Sequence, residues 1–149
     1  MSEKKYVVFQ LDDELYGVPI DKVERILPQQ SITPIPRTPK MLLGVFDIRG
    51  ETIPAIDLRQ RFEMPPNSSD QNQFIVVLQD TGRCAWQVDG VTGIFSFDET
   101  DIEDSPTLVK GVDDQFLAGV GRHNDRLVVM LDCDHVVPGE VTHTLAAAA

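Results

Sequence analysis

The chain has few cysteines, few cationic side chains for its acidity and no long apolar run. Cys84 and Cys133 lie far apart inside apolar patterns, which favours buried thiols over a disulfide framework or a metal site. Thirteen Lys and Arg stand against 24 Asp and Glu, a formal net charge of −11, which argues against a protein that grips nucleic acid duplexes by their phosphates. Apolar runs of a few residues are far shorter than the roughly 20 that span a bilayer. The N-terminus enters a strand pattern without an apolar signal segment, so we expect a cytoplasmic protein without direct membrane insertion.

Motifs of catalysis and of metal binding are also missing. The three histidines stand at no metal-ligand spacing, and the sequence has no HExxH, paired-cysteine, Walker or G-x-S-x-G motif. The acidic run 98–104 does not follow the order of an EF-hand loop, so a solvated acidic face is favoured over a calcium site. We therefore expect no cofactor, no metal and no enzymatic activity.

An internal repeat is the most informative pattern that is present. One segment returns at an offset of 68 residues, and others return at an offset of 75. A repeat of this length predicts two similar β units rather than a many-bladed array. The matching pairs are 16–23 with 84–91 at the first offset, and 43–45 with 118–120 and Asp57 with Asp132 at the second.

Short strand patterns between turn residues predict an all-β fold of two five-stranded barrels, each too small to enclose more than its own side chains. The polar segment 63–73 is typical of a connector. We expect a single domain over 1–149, with lobe one at about 6–66, lobe two at about 73–138 and a frayed tail at 140–149. The predicted strands are 6–11, 15–20, 32–35 as an edge strand, 41–48, 52–56, 74–79, 84–88, 91–97, 116–121 and 126–131.

Three short helices are also predicted. Asp21, with Glu24 three residues on, has the spacing of a capping box, and Pro28 would end the helix that follows. Asp57 and Asp132 are expected to cap one helical turn each.

A specific resemblance lies in residues 44–59. Their sequence, Gly-Val-Phe-Asp-Ile-Arg-Gly-Glu-Thr-Ile-Pro-Ala-Ile-Asp-Leu-Arg, resembles the G-x-x-x-L-R-G-x-x-x-P-x-x-D-L-R signature of CheW-like domains. The resemblance extends over roughly residues 5–138 and implies two five-stranded SH3-like barrels packed around a shared hydrophobic core. The other matching segments are 8–11, 16–20, 23–27, 35–39, 88–91, 117–120 and 131–132.

The same resemblance implies a stand-alone, non-enzymatic adaptor in bacterial chemosensory signalling. Such adaptors hold the regulatory domain of a CheA-type histidine kinase to the cytoplasmic tips of methyl-accepting chemoreceptors, and so are recruited to membrane receptor arrays. A groove between the lobes would accept a helix of the receptor tip. The residues that match this region are Val23, Ile26, Leu43, Gly44, Arg49 and Val91.

Most of these candidate partner-binding residues also have a structural interpretation. The two valines and the isoleucine fit plain core packing equally well. Gly44 is also explained as a strand glycine that another backbone approaches closely. Arg49 is the stronger functional candidate, because its repeat counterpart is Asn124 and the hairpin turn therefore does not require an arginine.

The chain departs from the family pattern at two candidate positions. Arg25 stands where the family commonly has a glutamate that pairs with the signature arginine, here Arg49, and Asp47 replaces the usual asparagine. Two facing arginines would repel each other. We therefore expect Asp47, or an acidic residue of the partner, to compensate Arg49 or Arg25. The departure makes a variant pathway, such as one for pilus-based motility, an alternative.

A small-ligand or nucleic-acid-binding barrel is a further alternative. It would need a basic groove with exposed aromatic rings. Trp86, Tyr6 and Tyr16 lie on apolar strand patterns and are expected in the core.

Overall fold

A computed structural model describes residues 3–66, 72–79, 82–103 and 116–137. Strands dominate these residues, and the helices are single turns. The predicted tail 140–149, residues 104–115 and the middle of the connector 63–73 lie outside the described residues. The strands are β1 Glu3–Leu11, β2 Glu14–Pro19, β3 Val23–Leu27, β4 Leu42–Ile48, β5 Glu51–Asp57, β6 Gln73–Gln79, β7 Gly82–Val88, β8 Gly90–Asp98, β9 Ile102–Glu103, β10 Leu117–His123 and β11 Arg126–Leu131. The α-helices are α1 Leu58–Arg61 and α2 Cys133–Val136, and 3-10 turns cover Ile20–Lys22 and Glu99–Asp101.

The strands form two curled sheets with equivalent strand orders. One has the order β3-β6-β7-β5-β4, and the other has the order β8-β1-β2-β11-β10 with the two-residue β9 added at its end. In each sheet a hairpin pairs in parallel with a strand from the other part of the chain, β7 with β5 and β2 with β11. The internal repeat of the sequence therefore corresponds to two barrels with equivalent strand orders.

The division of the chain between the barrels differs from the expected lobes at 6–66 and 73–138. The first hairpin, β1–β2, belongs to the sheet formed by β8 to β11, while β6–β7 belongs to the sheet of β3 to β5. Each barrel thus takes its hairpin from the other repeat. Because the two hairpins have the same apolar pattern, the local sequence does not distinguish which barrel each one joins. Only the long-range pairings of β1 with β8 and of β3 with β6 decide it.

Three apolar clusters explain why the strands carry continuous apolar runs. Along β1, Val7 and Phe9 point into a cluster shared by the two sheets, whereas Tyr6 and Val8 point into the interior of their own barrel. Strand β6 alternates in the same way between the shared cluster and the interior of the five-stranded barrel. Such strands are buried on both faces, and their side chains alternate between two apolar environments. The expected pair of barrels around a shared hydrophobic core is confirmed.

The predicted helix after Asp21 is wrong. A 3-10 turn ends at Lys22, and Val23–Leu27 forms β3, which pairs antiparallel with β6. A helix of so few residues would fix several backbone angles for very few hydrogen bonds, whereas a strand with β-branched residues gains a full ladder at the sheet edge. The other two helices begin as predicted, because the carboxylates of Asp57 and Asp132 accept the first free N–H groups of α1 and α2.

Backbone geometry at the second offset confirms the repeat. Gly44 and Gly119 have φ of 144° and 156°, and each lies at a register shift in its hairpin. Arg49 and Asn124 have φ of 52° and 48° at the corresponding turns. None of the described helices has the length and apolar character needed to cross a membrane.

Candidate partner-binding surface

Two sheet edges border the shared core and carry equivalent apolar side chains. On β3, Val23 and Ile26 pair with strand residues that point into the shared cluster. Val23 packs against this cluster, and Ile26 remains 40% exposed. On β8, Val91 packs against the same cluster from the other barrel. Three predicted residues therefore lie along the seam between the barrels.

Ile94 is a candidate that the sequence interpretation missed. It lies on β8 opposite Val7, a residue of the shared cluster, and is 57% exposed. The signal was available, because the offset of 68 that relates Val23 to Val91 also relates Ile26 to Ile94. The two edge strands thus present matching pairs of apolar side chains.

Leu43 and Gly44 lie away from this seam. They belong to β4, the edge opposite β3 in the five-stranded sheet, and Leu43 packs against the interior of that barrel. Gly44 is buried under the segment that crosses β4, since Thr33 exchanges backbone hydrogen bonds of 2.8 and 2.9 Å with Val45. A Cβ on Gly44 would lie 2.2 Å from the carbonyl oxygen of Thr33. The close backbone approach expected for this glycine is present.

A chain of ion pairs joins β3 to the β4–β5 hairpin. Nη1 of Arg83 lies 3.0 Å from Glu24 and 2.6 Å from Glu51, which directly follows the turn at Arg49. Arg25 lies 3.5 Å from the same Glu24 oxygen. Arg25 and the turn at Arg49 therefore lie at one end of the five-stranded barrel.

Asp47 does not take the compensating role predicted for it. Its Oδ2 accepts the backbone N–H of Gly50 at 3.3 Å and so closes the hairpin turn. Within the described part of the chain, Asp47 forms no ion pair with Arg25 or Arg49. A short carboxylate at the first position of a turn readily accepts the backbone N–H of its own turn.

Arg59 forms a buried clamp between the barrels, a role that the sequence interpretation did not assign. Its Nε and Nη2 bind Asp89 at 2.8 and 2.5 Å, Nη1 binds the carbonyl oxygen of Pro65 at 2.7 Å, and Nη2 also binds Asp12. Arg59 follows β5 of one sheet, and Asp12 lies in the β1–β2 turn of the other. The final arginine of residues 44–59 thus holds the exchanged hairpin in place.

The clamp makes stability depend on pH. Burial raises the pKa of Asp89, but hydrogen bonds from Arg59 and from the backbone N–H of Asp12 lower it by more, so the pKa lies below its ordinary value. The ionised carboxylate therefore stabilises the fold above the unfolded pKa of about 4, and this contribution is lost as the pH falls through the folded value.

We expect the free energy of unfolding to fall more steeply for the wild type than for Asp89→Asn, which lacks the titrating carboxyl, as the pH falls below about 4. Urea titrations followed by the fluorescence of Trp86, the single tryptophan, measure both profiles. If the free energies of unfolding of the two proteins depended on pH in the same way, Asp89 would not have a lowered pKa in the folded state.

The aromatic rings expected in the core, and both thiols, are buried. Trp86 and Tyr16 are buried and Tyr6 nearly so, which leaves none of these three rings free to stack on a base. Burial also raises the pKa of Cys84 and Cys133 to about 12, so both thiols stay protonated at neutral pH. The cavity beside Arg59, of about 130 Å³, is lined by Arg59 and Asp89 of the clamp together with Asp57, Asn72 and Gln87.

Comparisons with known proteins agree with this architecture. The family model of the CheW-like domain matches residues 5–140. The chain is 30% identical over 138 residues to the chemotaxis protein CheW of Klebsiella aerogenes, covering 92% of this chain and 83% of that protein. It is 28% identical over 145 residues to the CheW of Treponema pallidum, with coverage of 94% and 85%.

A solved structure supports the same conclusion. The scaffolding protein TtCheW of Thermoanaerobacter tengcongensis superposes with a TM-score of 0.84 at 32% identity, covering 93% of this chain and 92% of that one. These similarities support a scaffold or adaptor role in chemotaxis. With its two barrels, shared core and matching signature, the chain belongs to the family of CheW-like domains.

Proposed function

We propose that this chain is a non-enzymatic adaptor that couples chemoreceptor tips to a CheA-type histidine kinase. The observation that carries the proposal is the pair of edge strands, β3 and β8, which border one shared core and each expose an apolar residue, Ile26 and Ile94. A protein that joins two partners needs surface of this kind more than it needs an enclosed pocket. The names of the similar proteins support the chemotaxis setting.

Weak contacts are sufficient for such an adaptor. A standard interface buries about 800 Å² on each partner, and smaller ones are transient. In an array, many such contacts act together, so avidity exceeds each single affinity by orders of magnitude. The candidate contact residues are the seam residues Val23, Ile26 and Val91, with Arg25, Leu43, Gly44, Asp47 and Arg49 around the five-stranded barrel.

The test is co-purification of the full chain with purified kinase regulatory domains and with chemoreceptor cytoplasmic fragments of the source organism. Using every chemosensory kinase of that organism also separates ordinary chemotaxis from a variant pathway. Capture of at least one kinase domain and one receptor fragment is expected. Failure to capture any of them would overturn the proposal.

Arg49→Glu is expected to weaken partner capture about tenfold without unfolding the chain. Arg49 is exposed at the hairpin turn and forms no ion pair recorded among the described residues, so its removal leaves no buried charge. Glutamate replaces one non-glycine residue by another at φ of 52°, so the backbone cost changes little. Affinity is measured by calorimetry, and folding by urea denaturation.

Arg122→Glu is the matched control, because Arg122 is an exposed arginine on β10 of the other barrel. It applies the same charge reversal to the whole chain. Equal affinities of Arg49→Glu and the wild type would show that this turn does not contact the partner.

A further inference from the structure

Charge is distributed very unevenly along the chain. Residues 22–49, which include β3 and β4, hold five of the 13 Lys and Arg side chains and only two carboxylates, a net charge of +3 within a chain of −11. The two strands are the edges of one sheet, and both pack against the interior of the same barrel through Leu27 and Leu43. This barrel is therefore the positive part of an acidic protein.

The carboxylates near Arg25 are already engaged. Oε1 of Glu24 is shared between Arg25 at 3.5 Å and Arg83 at 3.0 Å, and Arg83 also holds Glu51. The second oxygen of Glu24 is buried and has no hydrogen-bond partner within the described residues. Asp47 is bound to its own turn. Arg25 therefore has only a long contact with a carboxylate that a closer arginine occupies.

The guanidinium of Arg25 remains accessible. Its side chain is 37% exposed on the edge strand β3. Arg25 pairs with Val76 and Ile26 pairs with Ile75, so the two side chains leave opposite faces of this edge, and Ile26 lies on the side of the seam. An accessible guanidinium can form a two-bonded pair with a carboxylate of a segment that lies along this edge.

From this geometry we propose that Arg25 selects the partner at β3: a helical segment that lies along the edge of this strand, covers Ile26 on the side of the seam and carries a carboxylate that reaches Arg25 on the other side. The inference rests on the proposed adaptor function and names the chemistry of its receptor-side contact. Arg49, at the same end of the barrel, adds a second accessible cation there. The acidic remainder of the chain repels the same segment elsewhere, so electrostatics also fix where it docks.

The test uses the full chain and the chemoreceptor cytoplasmic fragment that the wild type captures. We expect Arg25→Glu to weaken binding at least tenfold and Arg25→Gln about threefold, with a smaller salt dependence of affinity for the glutamine variant. Urea denaturation shows whether each variant remains folded. Arg122→Glu, on the other barrel, is expected to bind within twofold of the wild type.

Exchanging the charges between Arg25 and the receptor fragment tests the proposed ion pair more directly than the single variants do. Each Asp and Glu of the receptor fragment's tip is changed to Lys in turn, and one such change is expected to restore binding to Arg25→Glu while weakening binding to the wild type. If the wild type binds the fragment and both Arg25 variants bind it equally well, the inference is wrong and the adaptor function stands. If the wild type binds no receptor fragment, both are overturned.

Discussion

Arg59→Ala is expected to lower the free energy of unfolding by about 3 kcal/mol. The guanidinium is buried and binds two carboxylates and a carbonyl oxygen, so its removal leaves Asp89 largely enclosed without its cation. The value lies at the low end for a broken buried pair because Asp12 is more than half exposed and water can solvate it. Urea denaturation measures the loss through Trp86, which lies in the shared core against Phe9 of the other sheet.

Two comparisons distinguish the loss of the Arg59 ion pairs from the general effect of removing an arginine. Arg122→Ala, which removes an exposed arginine, is expected to change stability by about 0.5 kcal/mol or less. In an Asp89→Asn background, Arg59→Ala should cost clearly less than in the wild type, because the enclosed negative charge is already gone. A loss below about 1 kcal/mol for Arg59→Ala alone would show that the network does not hold the barrels together.

Gly44→Ala is expected to destabilise the fold by about 3 kcal/mol or more, or to displace the segment over β4. The new Cβ would collide with the backbone of Thr33, and backbone cannot rotate away as a side chain can. The residue also has φ of 144°, which side-chain-bearing residues rarely adopt. Urea denaturation measures the loss.

Gly50→Ala is the matched control for this effect. Gly50 also has positive φ, at 86°, but no atom lies within 4 Å of an added Cβ. Its substitution should cost about 1 kcal/mol, the backbone penalty alone. Equal losses for the two variants would contradict a steric role for Gly44. If Gly44→Ala also weakens partner binding, displacement of the 28–41 segment is the direct physical reason.

The strands and turns were predictable because their signals are local. Asp57 and Asp132 follow apolar strands and cap helical turns as expected, and the hairpin at Arg49 forms where the sequence places it. The error at Val23–Leu27 arose because the capping-box spacing of Asp21 and Glu24 is also local, while the pairing with β6 that overrides it is not.

In the candidate site, too, some residues were predictable from the sequence and others were identified only from the structure. Pattern and resemblance led to Val23, Ile26 and Val91, which the structure places along one seam, but Leu43 packs into a single barrel. The sequence contained the offset that relates Ile26 to Ile94, although only the exposure of Ile94 on an edge strand made it a candidate. Nothing local indicated that Arg59 reaches Asp12 and Asp89, because these residues meet only after folding.

The sequence by itself determined a duplicated, all-β chain with its turns, its glycine positions and its family signature, since each of these follows from residues close together. The tertiary structure alone decided which hairpin joins which barrel and which charges remain available to a partner. Strand exchange and ion pairing depend on contacts between distant segments, such as β1 with β8 and Arg83 with Glu24. Two repeats with equivalent local patterns leave such contacts undetermined until the chain has folded.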